Sequence, residues 1–161
     1  AEVDSCYNQL RKRASLSSSS LSIVSELKSG SAWYVPGGCS TIGRLFNDAC
    51  GRYAFAEDKH SGSIPLAFET VFDKAGDADV WTIKYNRDRD MTYSDLKADY
   101  IGYTGFKAFK TRNIYGCNTA KVPFYEETPF RPDYLLSDLI QILHPEIGDL
   151  GGLRYFCKLN E

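Results

Sequence analysis

Apolar positions recur along this chain in two rhythms, one of period two and one near 3.6. Val3, Cys6, Tyr7 and Leu10 share a face and predict a short helix over residues 3–15, with Arg11, Lys12 and Arg13 near its end. Ser15 to Ser20 is serine-rich and reads as a connector. Leu21 to Ser25 alternates as a strand, Lys28-Ser29-Gly30 turns, and Ala32 to Pro36 is the next strand. Gly37 to Thr41 opens a helix that turns Ile42, Leu45, Phe46, Ala49 and Cys50 inward and stops at Gly51. Arg52 to Ala56 reads as a short strand, and Glu57 to Ser63 as a polar loop.

Pro65 starts another helix, with Phe68, Val71 and Phe72 facing in and Gly76 at its end. Asp79 to Tyr85 is the clearest strand, and Asn86 to Asp90 a charged loop. Thr92 caps a short helix from Tyr93 to Ala98, and Phe106 and Phe109 pack beneath a further turn. Asn113 to Asn118 is a strand, and a loop pinned by Pro123 and Pro129 carries Tyr125 and Phe130. Pro132 suits the first turn of a helix whose apolar face is Leu135, Leu136, Leu139, Ile140 and Leu143. Pro145 disfavours helical backbone at His144 and ends it. Leu153 to Leu159 closes the chain as an edge strand.

Strand and helix alternate after an initial strand pair. That order predicts an α/β fold, a three-layer α/β/α sandwich with a mostly parallel sheet, as one domain over residues 1–161. In such sheets ligands sit beyond the carboxyl ends of the strands. That edge carries Trp33, Tyr34, Gly37 to Thr41, Glu57 to Ser63 and Tyr85 to Asp90. The candidate cleft residues are Trp33, Tyr34, Gly38, Ser40, Tyr85 and Arg87. Trp33 and Tyr34 make an aromatic wall for a large flat or chelated ligand, and Arg87 or Arg89 faces an anionic complex.

Charge and composition remove several classes of partner. A net charge of -2 gives no basic bulk for nucleic acid. No apolar run is long enough to span a bilayer, and Ala1-Glu2-Val3-Asp4 has neither the basic start nor the apolar run of a secretory signal. The five cysteines form no C-x-x-C pair, so a structural zinc site is not expected, and the odd count leaves at least one unpaired within the chain.

Gly38-Cys39-Ser40-Thr41-Ile42-Gly43-Arg44-Leu45 approaches a phosphate-binding loop but has Arg44 and Leu45 where lysine and a hydroxyl residue are needed. A competing reading makes the chain an α/β enzyme domain, hydrolytic or nucleotide-binding, that uses the Gly38 to Gly43 loop and His60, the better placed of two histidines. No metal-ligand cluster stands out, and no catalytic residue or cofactor is assigned. Glu69 sits near a helix start, a favourable place for any surface carboxylate.

Four stretches in order carry a family resemblance: Ala32-Trp33-Tyr34-Val35-Pro36-Gly37-Gly38; Pro65-Leu66-Ala67-Phe68-Glu69 followed by Ala78-Asp79-Val80-Trp81; Gly105 to Lys110; and Asn113 through Glu146. The chain resembles the C-terminal lobe of the periplasmic substrate-binding proteins of ABC importers for cobalamin and iron siderophores. It looks most like the branch found in Bacteroides-type bacteria. The resemblance implies a siderophore, haem or corrinoid ligand held between this lobe and an N-terminal lobe of the same protein. Residues 1–20 would be the helix and connector to that upstream lobe. It also implies that Glu69 docks on arginines of an inner-membrane permease, and a periplasmic location with a lipid anchor on the full-length protein. The length suits one lobe only, so one wall of the cleft is expected here.

Overall fold

The computed structural model describes residues 2–161; Ala1 lies outside them. The central sheet has five strands: β1 (Ser22–Ser25), β4 (Arg52–Tyr53), β6 (Val80–Tyr85), β7 (Ile114–Asn118) and β8 (Cys157–Lys158). Their order is β4-β1-β6-β7-β8, parallel except for β8, which pairs antiparallel with β7. β6 sits in the middle, with Val24 opposite Trp81 on one side and Trp81 opposite Ile114 on the other. Its first four residues are all buried, as expected of a parallel strand covered on both faces.

One face is covered by α1 (Glu2–Ser15), α2 (Thr41–Asp48) and α7 (Pro132–Leu143), with α7 packed against both others. α7 follows its sequence signals closely. Pro132 stands in its first turn, Leu136, Leu139 and Ile140 are fully buried, and His144 caps its end. The other face carries α3 (Phe68–Ala75), α4 (Tyr93–Asp99), a 3₁₀ turn at Ile101–Gly105, α5 (Lys107–Lys110) and a second sheet. α4 starts with the expected Thr92 cap, reinforced by Asp95 reaching back to the Thr92 N–H. A last short helix, α6 (Phe124–Glu127), follows β7.

The second sheet is a correction to the sequence reading. β2 (Lys28–Ser29), β3 (Ala32–Pro36) and β5 (Ser63–Leu66) form a separate antiparallel sheet in the order β2-β3-β5. β3 therefore does not pair with β1. Gly30, at φ 60, turns β2 into β3, while at Glu26 the chain leaves β1 and the parallel sheet. Pro65 lies in an edge strand opposite Tyr34, where its missing N–H costs no ladder bond, and the following helix starts at Phe68.

Two expected strands shrink. The segment after Gly51 pairs only at Arg52–Tyr53 before it turns. The C-terminal segment is pinned to α7 instead of the sheet edge. The buried Asp138 carboxylate accepts the N–H groups of Arg154, Tyr155 and Phe156, leaving only Cys157–Lys158 in the ladder.

Candidate functional site

The carboxyl ends of β1 and β6 meet at Glu26 and Lys84. Glu26 adopts a left-handed backbone, φ 75, which is uncommon for a residue with a side chain and costs about 1 kcal/mol. Three contacts hold it there. Its N–H donates to the Thr82 carbonyl at 2.9 Å, and its own carbonyl accepts the Trp81 indole N–H at 2.9 Å. Its carboxylate lies 3.0 Å from Lys84 Nζ, both side chains being about four-fifths buried. Lys84 also reaches over the Phe124 ring, 5.2 Å from its centroid.

Above this pair opens a concavity of about 330 Å³, rimmed by Tyr34, Ser40, Thr41 and Ser63. Tyr34 is half exposed, although β3 on either side of it is buried. Beneath, Ser25 Oγ is a buried side-chain oxygen with no hydrogen-bond partner, facing Ile42, Phe46 and Phe124. Burial pushes the nearby Tyr53 hydroxyl up, with the Glu26 and Asp58 charges adding to it, and that hydroxyl donates to the Pro36 carbonyl.

The six cleft residues read from the sequence fall in different places. Tyr34 and Ser40 reach the concavity. The Ser40 hydroxyl is committed to capping α2: it accepts the Gly43 N–H and donates to the Gly37 carbonyl. Trp33 does not reach it. Alternation along β3 sends Trp33 inward, where it is fully buried, stacks on Trp81 at 5.8 Å and donates its indole N–H to the Ser25 carbonyl. Gly38 has its open side filled by the chain itself. A Cβ there would sit 2.3 Å from the Asp58 carbonyl oxygen and 2.4 Å from that of Ala56. Tyr85 lines a second depression near β8, and its hydroxyl accepts the Met91 N–H. Arg87 is exposed and paired with Asp99 at 2.9 Å.

Sequence reasoning missed Glu26 and Lys84, which lie far apart in the chain. A polar residue closing each buried parallel strand was the signal. The enzyme reading finds no nucleophile with a base. His60 is exposed and its Nδ1 contacts Asp58 Oδ1 at 2.7 Å, while the Ser40 hydroxyl points to Gly37. All five cysteines are free thiols, and burial pushes that of Cys117 up to about 12. Among the described residues no group of three or more His, Cys, Asp or Glu is placed to hold a metal, and no helix is long and apolar enough to cross a membrane.

The carboxyl edge of the parallel sheet in this α/β lobe thus carries an open hollow with an aromatic rim and an ion pair at its base. The chain belongs to the periplasmic binding protein family, whose sequence model matches residues 1–120. This is a family of binding proteins, not of enzymes.

An uncharacterized lipoprotein of Methanocaldococcus jannaschii is 31% identical over 128 residues, which is 79% of this chain and 30% of that protein. The TroA-like periplasmic binding protein FepB from Veillonella parvula superposes with a TM-score of 0.67 at 15% identity, over 99% of this chain and 56% of that one. A protein of an ABC-type Fe3+-hydroxamate transport system from Saccharomonospora viridis gives 0.65 at 16% identity, over 92% and 47%. The chain thus spans under a third of the archaeal relative and about half of each solved protein. None of these three comes from a Bacteroides-type bacterium.

Proposed function

We propose that this chain is one lobe of the substrate-binding component of an ABC importer for iron complexes, siderophore or haem, or for cobalamin. The ligand lies between this lobe and a second, N-terminal lobe of the same protein. The observation that carries the reading is the hollow over Glu26 and Lys84, with Tyr34 on its rim. It offers an aromatic surface, a cation and an anion side by side, yet it is open on one side as a half-cleft would be. A ferric hydroxamate or corrinoid has the matching mixture of apolar bulk and polar rim.

The test uses the two-lobe protein. Haem, cobalamin and ferric hydroxamates are titrated in turn by calorimetry, and one class is expected to bind. Tyr34→Ala should then weaken that ligand at least about tenfold, the usual effect of losing an aromatic anchor, without lowering Tm. No binding by any of the three classes would sink the chelate reading.

Glu69 is the second part of the proposal. It is exposed in the first turn of α3, where the helix dipole favours a carboxylate, and it makes no ion pair among the described residues. We assign it to docking on a cationic surface of the inner-membrane permease. Glu69→Arg should abolish uptake in cells and leave ligand affinity unchanged; intact uptake would end that role. On this reading the protein works in the periplasm, held at the cell envelope by a lipid anchor on its full-length form.

A further inference from the structure

Ser25 is out of keeping with its surroundings. It is 2% exposed at the carboxyl end of β1, and alternation along the strand turns it to the same face as Ile23. There it meets Ile42 and Phe46 of α2, Phe124 of α6, and Leu135 and Leu139 of α7. An apolar side chain would suit such a place. The hydroxyl is buried there instead, without a hydrogen-bond partner among the described residues. The backbone beneath it is fixed. Its carbonyl accepts the Trp33 indole N–H at 3.0 Å, and Ser25 stands in register with Thr82 of β6, which lines the same slot. An unpaired buried hydroxyl is unfavourable, and native proteins keep few of them.

The slot in front of Ser25 adjoins the hollow rimmed by Tyr34. Glu26, Ile42 and Lys84 line both, so the ion pair, closed at 3.0 Å, lies between the two spaces. The free space in the slot is about 10 Å³, room for one water-sized group. The hollow outside it, about 330 Å³, has room for the remainder of a larger molecule. Hydrocarbon walls with a single hydroxyl at the end select the guest. A methyl group there would leave the hydroxyl unpaired, and a bare ion would lose its hydration without gaining a partner charge. An oxygen carried on an apolar stem satisfies both the walls and the hydroxyl.

We propose that this slot is the deep end of the ligand site, and that it takes a hydroxyl or carbonyl oxygen at the tip of a slender apolar arm. A carbonyl tip accepts the Ser25 proton, and a hydroxyl tip either donates to Ser25 Oγ or accepts from it. Ile42 and the stems of Glu26 and Lys84 flank the arm where it enters. Ser25 is then a specificity-determining residue: it favours an arm tipped with oxygen over one that ends in a methyl group. That the arm belongs to the imported ligand rests on the function proposed above. The preference of the slot for an oxygen tip does not.

The first arm of the test uses no transported ligand. The two-lobe protein is titrated with n-butanol and with n-butyl chloride, which has the same stem without a hydroxyl, while the Ser25, Glu26 and Thr82 amides are followed by NMR. n-Butanol should shift these amides, n-butyl chloride should leave them in place, and Ser25→Ala should abolish the response. In the second arm, the chelate class that binds is titrated into Ser25→Ala. Its affinity should fall about tenfold, the effect of one lost buried hydrogen bond. Tm of the free variant should not fall, because the substitution removes an unpaired group. If the alcohol docks on Ser25 and no chelate binds, the slot stands and the function proposed above fails. An absent response to n-butanol, an equal response in Ser25→Ala, or an unchanged chelate affinity in Ser25→Ala would overturn the proposal. So would a drop in Tm of more than about 5 °C in Ser25→Ala, since the hydroxyl would then already be bonded in the free protein.

Discussion

Replacing Trp33 by phenylalanine separates a core role from a ligand role. The indole is fully buried, with ring centroids 5.6 Å from Phe106, 5.8 Å from Trp81, 5.9 Å from Tyr103 and 6.1 Å from Phe68. Its N–H donates to the Ser25 carbonyl at 3.0 Å. Phenylalanine keeps a ring in the cluster but is smaller by roughly 40 Å³, which at about 24 cal/mol per Å³ of cavity costs about 1 kcal/mol. Losing the buried hydrogen bond adds about 1–2 kcal/mol. A total of about 2–3 kcal/mol in a chain of 161 residues lowers Tm by roughly 5–10 °C. Thermal melts followed by circular dichroism measure the first quantity. Calorimetric titration of the two-lobe protein measures the second, and there the affinity should stay within about threefold, under 1 kcal/mol. An unchanged Tm with a tenfold loss of affinity would refute the core assignment and return Trp33 to the cleft wall. Both tryptophans sit in this one cluster, so their fluorescence reports the core and not direct ligand contact.

Asp138→Asn puts an amide donor against one of three backbone N–H groups. It should cost about 1–3 kcal/mol, read as a lower urea midpoint at constant m-value. Gly38→Ala forces a methyl group into the Asp58 and Ala56 carbonyls, so it should cost about 1–3 kcal/mol and lower Tm. The two Arg131 hydrogen bonds hold the Asp133 carboxyl below the usual range despite its burial. Its stabilising contribution is therefore present above the ordinary carboxylate value near 3.9 and lost as pH falls through the lower folded value. The urea midpoint should drop on acidification, and Asp133→Asn should flatten part of that drop.

Much of the fold is legible in the sequence because its signals are local. α7 carries a proline start, a strong apolar face and a proline stop, and it forms as the pattern predicts. β6 reads as a strand because it is apolar on both faces. The second sheet is hidden because partner choice is not local. Nothing in Ala32 to Pro36 says whether it pairs with β1 or with a segment ending at Leu66, and Pro65 is as valid in an edge strand as at a helix start. The site divides in the same way. Tyr34 reaches the hollow, although it does so from the antiparallel sheet and not from the carboxyl edge of the parallel one. Trp33 turns to the core instead, because alternation states that neighbours face opposite ways without saying which faces the solvent. Glu26 and Lys84 are absent from the sequence reading because their pairing depends on two strands meeting across the sheet.

The packing of Gly37 and Gly38 against the loop from Ala56 to Gly62 has a consequence for alignment along β3. The Gly37 N–H donates to the Gly62 carbonyl and the Cys39 N–H to that of His60, and a side chain on either glycine would collide with that loop. A slide of β3 by one position would bring Pro36 or Cys39 into a slot that admits no Cβ. The same slide would expose the indole and bury the phenol, exchanging the inner and outer faces of the strand. The two glycines therefore act as an indexing stop: they keep Tyr34, not Trp33, turned toward the hollow.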